Sequence, residues 1–416
     1  MRLRPEGIIS AHYDNLKLVL RAFQYRNYRL FFAGQAVSLI GTWMQVVAVS
    51  WLVYRMTNSA FLLGLVGFVG YIPTFLLTPF AGVLADRFNR RRILIVTQTL
   101  AMIQASILAA LSLTGLVEVW HLIALSMLLG LINAFDIPAR QAFVVEMIDE
   151  KADLGNAIAL SSFVFNSARL IGPSLAGILI AIVGEGICFL INAVTFLAVI
   201  FALLAMRLKP GSIQSDTRVF EELKEGFIYT FNFRPMRHIL LLTILTSIMG
   251  MSYVIVMPIF ARDILHGGAH TLGFLMGSAG LGALFGAVYL AAKKDTRGLE
   301  KVISRGTLVL GLGLISFSFS THLWLSLILI MCAGFGMMVQ TVAGNTILQT
   351  ITDDNKRGRV MSFYAMAFMG MMPFGSLLAG IVAGRIGAPY ALLISGLACV
   401  LGGIIFSKKI ASLKLS

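Results

Sequence analysis

Few residues of this 416-residue sequence carry charge within apolar surroundings, and those few are where chemistry could occur. Asp86, Asp136, Arg140 and Glu146 sit at the ends of long apolar runs, and Arg169 lies inside one. Asp136 and Arg140 are four apart, the spacing that places an acid and a base on one helix face, with Pro138 between them. Arg169 comes about fifteen residues into its run, roughly 22 Å along a helix. A charge at that depth costs roughly 2.5–3.5 kcal/mol on insertion scales unless it is paired or hydrated. Its guanidinium could line a cavity and bind an anionic group or set a coupling charge. Alternatively, it bonds carbonyls freed around a helix break at Gly172 and Pro173. Gln35, Gln45, Asn133, Asn166, Gln340 and Asn345 add polar groups without charge to such a cavity.

Bond-making chemistry has little to work with. No phosphate-binding G-x-x-x-x-G-K-[ST] run and no cluster of metal ligands is present. His121, His238, His266, His270 and His322 fall near the ends of apolar runs and read as lacking partners. An enzyme is the least favoured class, with no cofactor or metal expected, and this chain alone cannot drive transport with ATP. The three cysteines, Cys188, Cys332 and Cys399, lie far apart inside apolar runs and read as small buried hydrophobes.

These side chains must be held by elements that suit lipid. The sequence is 58% hydrophobic and 12% charged, against roughly 45–50% and 25% in soluble domains. A soluble fold of that composition would expose large apolar patches. The net charge of +14 does not indicate nucleic acid, because Lys and Arg gather in short loops between apolar runs. Met1 to Arg29 is polar and shows no cleavable signal pattern, so the first apolar run is expected to stay as a span.

A crossing helix needs about 20 apolar residues. That ruler predicts spans near 29–54, 58–84, 91–114, 119–139, 154–182 and 185–206, then 237–261, 270–292, 303–320, 322–350, 358–384 and 387–407. With the N-terminus inside, only Arg55, Arg262 and Arg385 of the 33 Lys and Arg fall outside, besides Arg169 within a span. Both termini are therefore expected in the cytoplasm. The polar stretch from Arg207 to His238 places Val219, Phe220, Phe227, Ile228 and Phe231 at helical spacing, as in an amphipathic linker on the inner face. Asn15 to Arg29 reads likewise.

The halves repeat at an offset of about 204 residues. Gly82 matches Gly286, and Gly172-Pro173-Ser174-Leu175-Ala176-Gly177-Ile178 matches Gly375-Ser376-Leu377-Leu378-Ala379-Gly380-Ile381. Parallel repeats of this kind build two-bundle rocking transporters. The expected organisation is a bundle over 1–206, a linker over 207–236 and a bundle over 237–416, an all-α fold of twelve spans.

Gly82 to Ile93 reads G-V-L-A-D-R-F-N-R-R-R-I. This resembles the loop signature of the major facilitator superfamily, with Asn89 in place of its second glycine. Gly82 would allow close backbone approach. Asp86 would place a carboxylate where a neighbouring helix N-terminus or arginine could meet it. Arg87, Arg90, Arg91 and Arg92 would hold the loop at the anionic leaflet. The resemblance implies that this loop latches the two halves on the cytoplasmic side, and that Asp86, Asp136, Arg140 and Glu146 form an inner-gate charge network with Gly82, Arg87 and Arg90. In the second half Leu290 stands where Asp86 would, so the latch is expected to be asymmetric. A narrower resemblance, to the branch holding the enterobactin exporter and macrolide efflux proteins, rests on Tyr25 to Phe32, Gly41 to Gln45, Ala134 to Ala142 and Arg357 to Ser362. It implies export of a small molecule.

Gly172 and Pro173 also resemble part of the antiporter motif, with Ala168 at its first glycine. Proton antiport is thus implied, with Asp136 the one reasonable carrier. Gly64, Gly67 and Gly70, with Gly370, Gly375, Gly380 and Gly384, permit tight contact between spans two and eleven. Methionines concentrate in the second half and suit either packing or a cavity for varied apolar cargo. The leading expectation is a monomeric exporter of a small amphipathic molecule in a bacterial inner membrane, with bilayer and cargo as its partners. The alternatives are a lipid or lysolipid translocator and, less favoured, a sensor or channel.

Overall fold

The computed structural model describes residues 20–207, 228–293, 298–353 and 356–411. Twelve helices among them are long and apolar enough to cross a membrane. They are α1 (Arg26–Thr57), α2 (Ala60–Arg87), α3 (Arg90–Leu113), α4 (Val119–Glu146), α5 (Leu154–Val183) and α6 (Glu185–Ala205), followed by α7 (Arg234–Ile264), α8 (Ala269–Ala291), α9 (Leu299–Ser318), α10 (Leu323–Ile351), α11 (Arg357–Ile386) and α12 (Ala388–Ala411). α4 runs on to Glu146 rather than ending at 139, so Asp136, Arg140 and Glu146 share one helix. The expected linker helix lies mostly outside the described residues. The N-terminal approach is a short 3-10 helix, Arg21–Gln24, whose Ala22 is buried. Asp153 at the start of α5 holds it by accepting from Gln24 and Tyr25 at 2.6 and 2.9 Å. Residues 15–19 of the expected amphipathic segment lie outside the described residues, and in the described turn Leu20, Arg21 and Gln24 are exposed.

The two sets of six helices pack in the same pattern: α1 with α6, α2 with α4 and α3 with α6 are repeated by α7 with α12, α8 with α10 and α9 with α12. The sets meet where α2 crosses α11 and α5 crosses α8. Both crossings are glycine on glycine. A Cβ added at Gly64 would lie 2.8 Å from the Gly380 Cα, and one at Gly273 would lie 2.8 Å from the Gly177 Cα. Gly177 is the repeat counterpart of Gly380, and Gly64 and Gly273 take equivalent places in α2 and α8, so one contact is built twice. The offset in this helix pair is 209 residues rather than 204, which aligns Asp295, not Leu290, with Asp86 in sequence. Without a hydrophobic drive between helices in lipid, such close backbone approach is how packing attraction is gained.

Both crossings lie at the end of the bundle remote from the termini, here the far end. There one buried apolar cluster spans both sets, from Met44 and Leu122 to Tyr253, Leu275 and Leu392. Toward the terminal end the core divides. Tyr28, Leu94, Phe143 and Leu203 form a cluster confined to the first six helices, and Met236, Ile303, Leu348 and Phe406 one confined to the last six. Gly82, expected to permit close approach, has no atom within 4 Å of an added Cβ; the approach is absent because the halves part at that end.

The expected break at Gly172 and Pro173 is also absent, and α5 runs unbroken through it. Gly172 seats α1 against α5, with an added Cβ 2.6 Å from Trp43 Cβ and 2.8 Å from the Ile40 carbonyl oxygen. The Arg169 carbonyl, deprived of its helical donor by Pro173, faces Gly280 of α8. The breaks lie in the second half instead. α7 carries π turns at Thr246–Gly250 and Phe260–Ile264, and α11 is interrupted between Phe368 and Met372. They meet: Ser247 donates to the Phe368 carbonyl that the interruption frees. Before its break α11 packs on α7 and α10, and after it on α2.

Valine at Gly380 is expected to part the far-end crossing, whereas valine at Gly82 finds open space. Spin labels replacing Phe61 and Arg385, read by pulsed electron resonance, should move apart by several ångströms in Gly380→Val and stay put in Gly82→Val.

Candidate functional site

At the far end the ends of α1 and α7 are joined across the halves. Tyr54 donates to Asp263. Arg262 donates to Asn58 Oδ1 at 2.6 Å, its repeat counterpart 204 residues away, and lies over the Tyr54 ring. Asn58 can offer its side chain there because it ends α1 in the left-handed region at φ 50°, which Asn tolerates. Beside it, Arg55 and Glu185 pair at 2.8 Å within the first half. A pocket of about 660 Å³ covers this closure, lined by Tyr54, Asn58, Phe61, Ile259 and Arg385 among others. Sequence reasoning missed the lock. Its one signal was that Arg262, at the end of a span, falls opposite Asn58 at the repeat offset of 204 residues.

At the terminal end the expected charges do gather. Asp136, 2% exposed, accepts from Thr97 and Gln98 of α3 at 2.9 and 2.8 Å and pairs with Arg140 at 2.9 Å. Arg140 also donates to Gln35 of α1 at 3.2 Å, which draws Gln35 into this network rather than a cavity. Arg90 and Glu146 pair at 2.9 Å. Every one of these partners belongs to the first half. Asp86 stands in the last turn of α2 and Arg87, exposed, ends it. The Asp86 side chain lies outside what is described, as does the second-half loop over 294–297.

Midway along α5, Arg169 points between the halves. Its guanidinium donates to Tyr253 Oη of α7 at 3.3 Å and lies 5.7 Å from the Trp43 ring centroid of α1. Phe165 stands edge-on to Trp43 at 5.9 Å. Of the two sequence-based alternatives, the hydrogen bond goes to a side chain of the opposite half.

The uncharged polar residues behave otherwise than expected. Gln45 is 3% exposed and bound to Gln104 at 3.0 Å and Asn192 at 2.7 Å inside the first half. Asn166 bonds back to the Ser162 carbonyl at 2.9 Å on its own helix. Gln340, the repeat counterpart of Asp136, is 1% exposed; its Oε1 accepts from Thr246 at 3.4 Å and its Nε2 has no partner among the described residues. All three are tied inside bundles because a buried amide needs partners. Asn133 is half-buried, and Asn345 accepts from Gln349. His121, read as unpartnered, accepts the Glu118 N–H at 3.0 Å and caps α4. Of the methionines, Met236, Met257 and Met337 are packing residues, while Met366 and Met369 stay open beside the α11 break.

Twelve spans in two like sets, closed at one end around a central cation, define a membrane transport protein rather than an enzyme. Residues 19–413 match the transmembrane secretion effectors, and the chain belongs to that family of the major facilitator superfamily. It is 25% identical over 379 residues to the staphyloferrin A transporter of Staphylococcus aureus, covering 91% of this chain and 95% of that one. It is 26% identical to the multidrug efflux pump Tap of Mycolicibacterium fortuitum, covering 88% and 91%. With macrolide efflux protein A of Streptococcus pyogenes the figures are 24%, 90% and 94%. Among solved structures, a POT family transporter in complex with 5-aminolevulinic acid superimposes with a TM-score of 0.75 at 14% identity, covering 92% of this chain and 96% of that one. A bacterial homolog of the human lysosomal transporter Spinster, inward-facing and occupied, gives 0.71 at 13%, covering 93% and 97%. These two likenesses concern the fold.

Asp136→Ala leaves Arg140 and two further donors without their acceptor and should lower stability by about 3–5 kcal/mol. Glu146→Gln, at a partly open pair, should cost about 0–1 kcal/mol. Thermal unfolding of the purified variants checks that ranking.

Proposed function

We propose that this protein is a secondary transporter that exports a small amphipathic molecule by alternating access, with both termini in the cytoplasm. The observation that carries the reading is the division of the core: one cluster joins the halves at the far end, and two separate clusters leave them apart at the terminal end. A bundle joined at one end by two glycine crossings can rock about them, exposing a central site to each side in turn. The gathering of Lys and Arg at the terminal end supports a cytoplasmic terminal face, which makes the described state inward-open. The relatives bear the names of siderophore, multidrug and macrolide transporters, which supports small amphipathic cargo moving outward.

In the inward-open state the loop from Gly82 to Ile93 is released. Its latching role belongs to the opposite state, in which the terminal ends of α2 and α11 would close. Proton antiport is the drive we favour, and two carboxylates could serve it. Asp136 is held by three donors within one half. Asp263 is bonded across the halves, so its surroundings change when they part, and it is the better placed of the two.

Everted membrane vesicles carrying the protein should accumulate a labelled amphipathic cargo when a proton gradient is imposed, and lose that accumulation on adding a protonophore. Uptake that persists without any ion gradient would sink the antiport reading. Asp86→Asn should cut uptake at least about tenfold, a loss of about 1.4 kcal/mol in the favoured state.

A further inference from the structure

Four arginines have acidic partners, Arg21 with Asp153, Arg55 with Glu185, Arg90 with Glu146 and Arg140 with Asp136, while Arg262, Arg26 and Arg91, at or near span ends, donate to an amide or to backbone carbonyls. Arg169 pairs with no acid among the described residues. Among the described residues its contacts are a tyrosine hydroxyl and an indole face. It is also the one among these that lies midway along a span. At 3.3 Å the bond to Tyr253 is long for an N–H···O contact and neutral at the acceptor, so it satisfies a donor without balancing the charge. An unbalanced, half-buried guanidinium between the halves attracts an anion and repels a cation.

We propose that the transported molecule carries an anionic group, of carboxylate, sulfonate or phosphate type, on an apolar or aromatic body, and that this anion takes the Arg169 guanidinium from Tyr253. The inference rests on the transporter reading above. Two further features fit the class. The planar fork of arginine accepts a carboxylate or phosphate through two parallel bonds. Trp43, with Phe165 edge-on to it, offers aromatic surface for the body of the ligand beside that fork. The contact also spans the halves, since Arg169 belongs to α5 and Tyr253 to α7. An anion that displaces Tyr253 removes one bond across the pivot and so favours the halves parting at the far end.

The test uses the full-length protein in nanodiscs of zwitterionic lipid and two probes of one shape, radiolabelled 2-naphthoate and its uncharged amide. Wild-type protein should bind the acid at least tenfold more tightly than the amide. Arg169→Gln should erase that preference, Arg169→Lys should keep part of it, and Tyr253→Phe should bind the acid as tightly as wild type or more so. An unchanged thermal unfolding midpoint in Arg169→Gln shows that the loss is not misfolding. Equal binding of the two probes by wild type, or an unchanged preference in Arg169→Gln, overturns the proposal. Arg169-dependent binding of naphthoate with no movement of any cargo in vesicles would sink the transport reading, and the statement about cargo with it, while leaving an anion site at Arg169.

Discussion

The contact of Gly64 with Gly380, and its repeat counterpart of Gly177 with Gly273, is the constraint on which the rest of the structure depends. Backbone meets backbone there at van der Waals distance, and side chains continue each contact, Phe374 of α11 against Phe68 and Phe75 of α2 and Ser174 of α5 against Gly277 of α8. In lipid, helices gain no hydrophobic energy by meeting, so close packing has to hold the halves. The divided core at the terminal end and the polar lock of Tyr54, Asp263, Arg262 and Asn58 follow from having the joint at one end only.

Around that joint the two halves are built differently. The first is braced by buried polar ties: Asp136 with Arg140, Thr97 and Gln98, and Gln45 with Gln104 and Asn192. The second has Gln340 where the first has Asp136, with its amide nitrogen left without a partner among the described residues. It also has interrupted helices, α7 at its π turns and α11 at Met369 to Met371. π turns within helices recur at functional sites. A firm half and a more pliable half suit a mechanism in which Arg169 on the firm side reads the cargo and Tyr253 on the pliable side responds.

Much of this was legible in the sequence, for physical reasons. Span positions follow from hydrophobic length, which is why the expected and observed helices agree to within a few residues save at the end of α4. The four-residue spacing of Asp136 and Arg140 forced a shared face, and the glycines of spans two and eleven marked a crossing. What was not legible depended on partners remote in sequence. Gln45 reads as polar in a span, and only packing shows that Gln104 and Asn192 claim it. Pro173 reads as a helix break, but Gly172 seats α1 closely enough to keep α5 intact. Gly82 reads as a contact residue, yet nothing lies within 4 Å of a Cβ added there. Asp263 looked like an ordinary residue at a span end because its partner, Tyr54, lies on the pseudo-symmetric mate of its own helix.

Alternating access is tested most directly by measuring both ends of the bundle in one preparation. Spin labels replacing Leu84 and Met366 report the terminal end, and labels replacing Phe61 and Arg385 report the far end. Pulsed electron resonance in nanodiscs, before and after a shift to acid pH with cargo present, should show the terminal distance shortening as the far distance lengthens. Two distances that stay fixed under every condition, or that lengthen together, would contradict a rocking transporter pivoting on its glycine crossings.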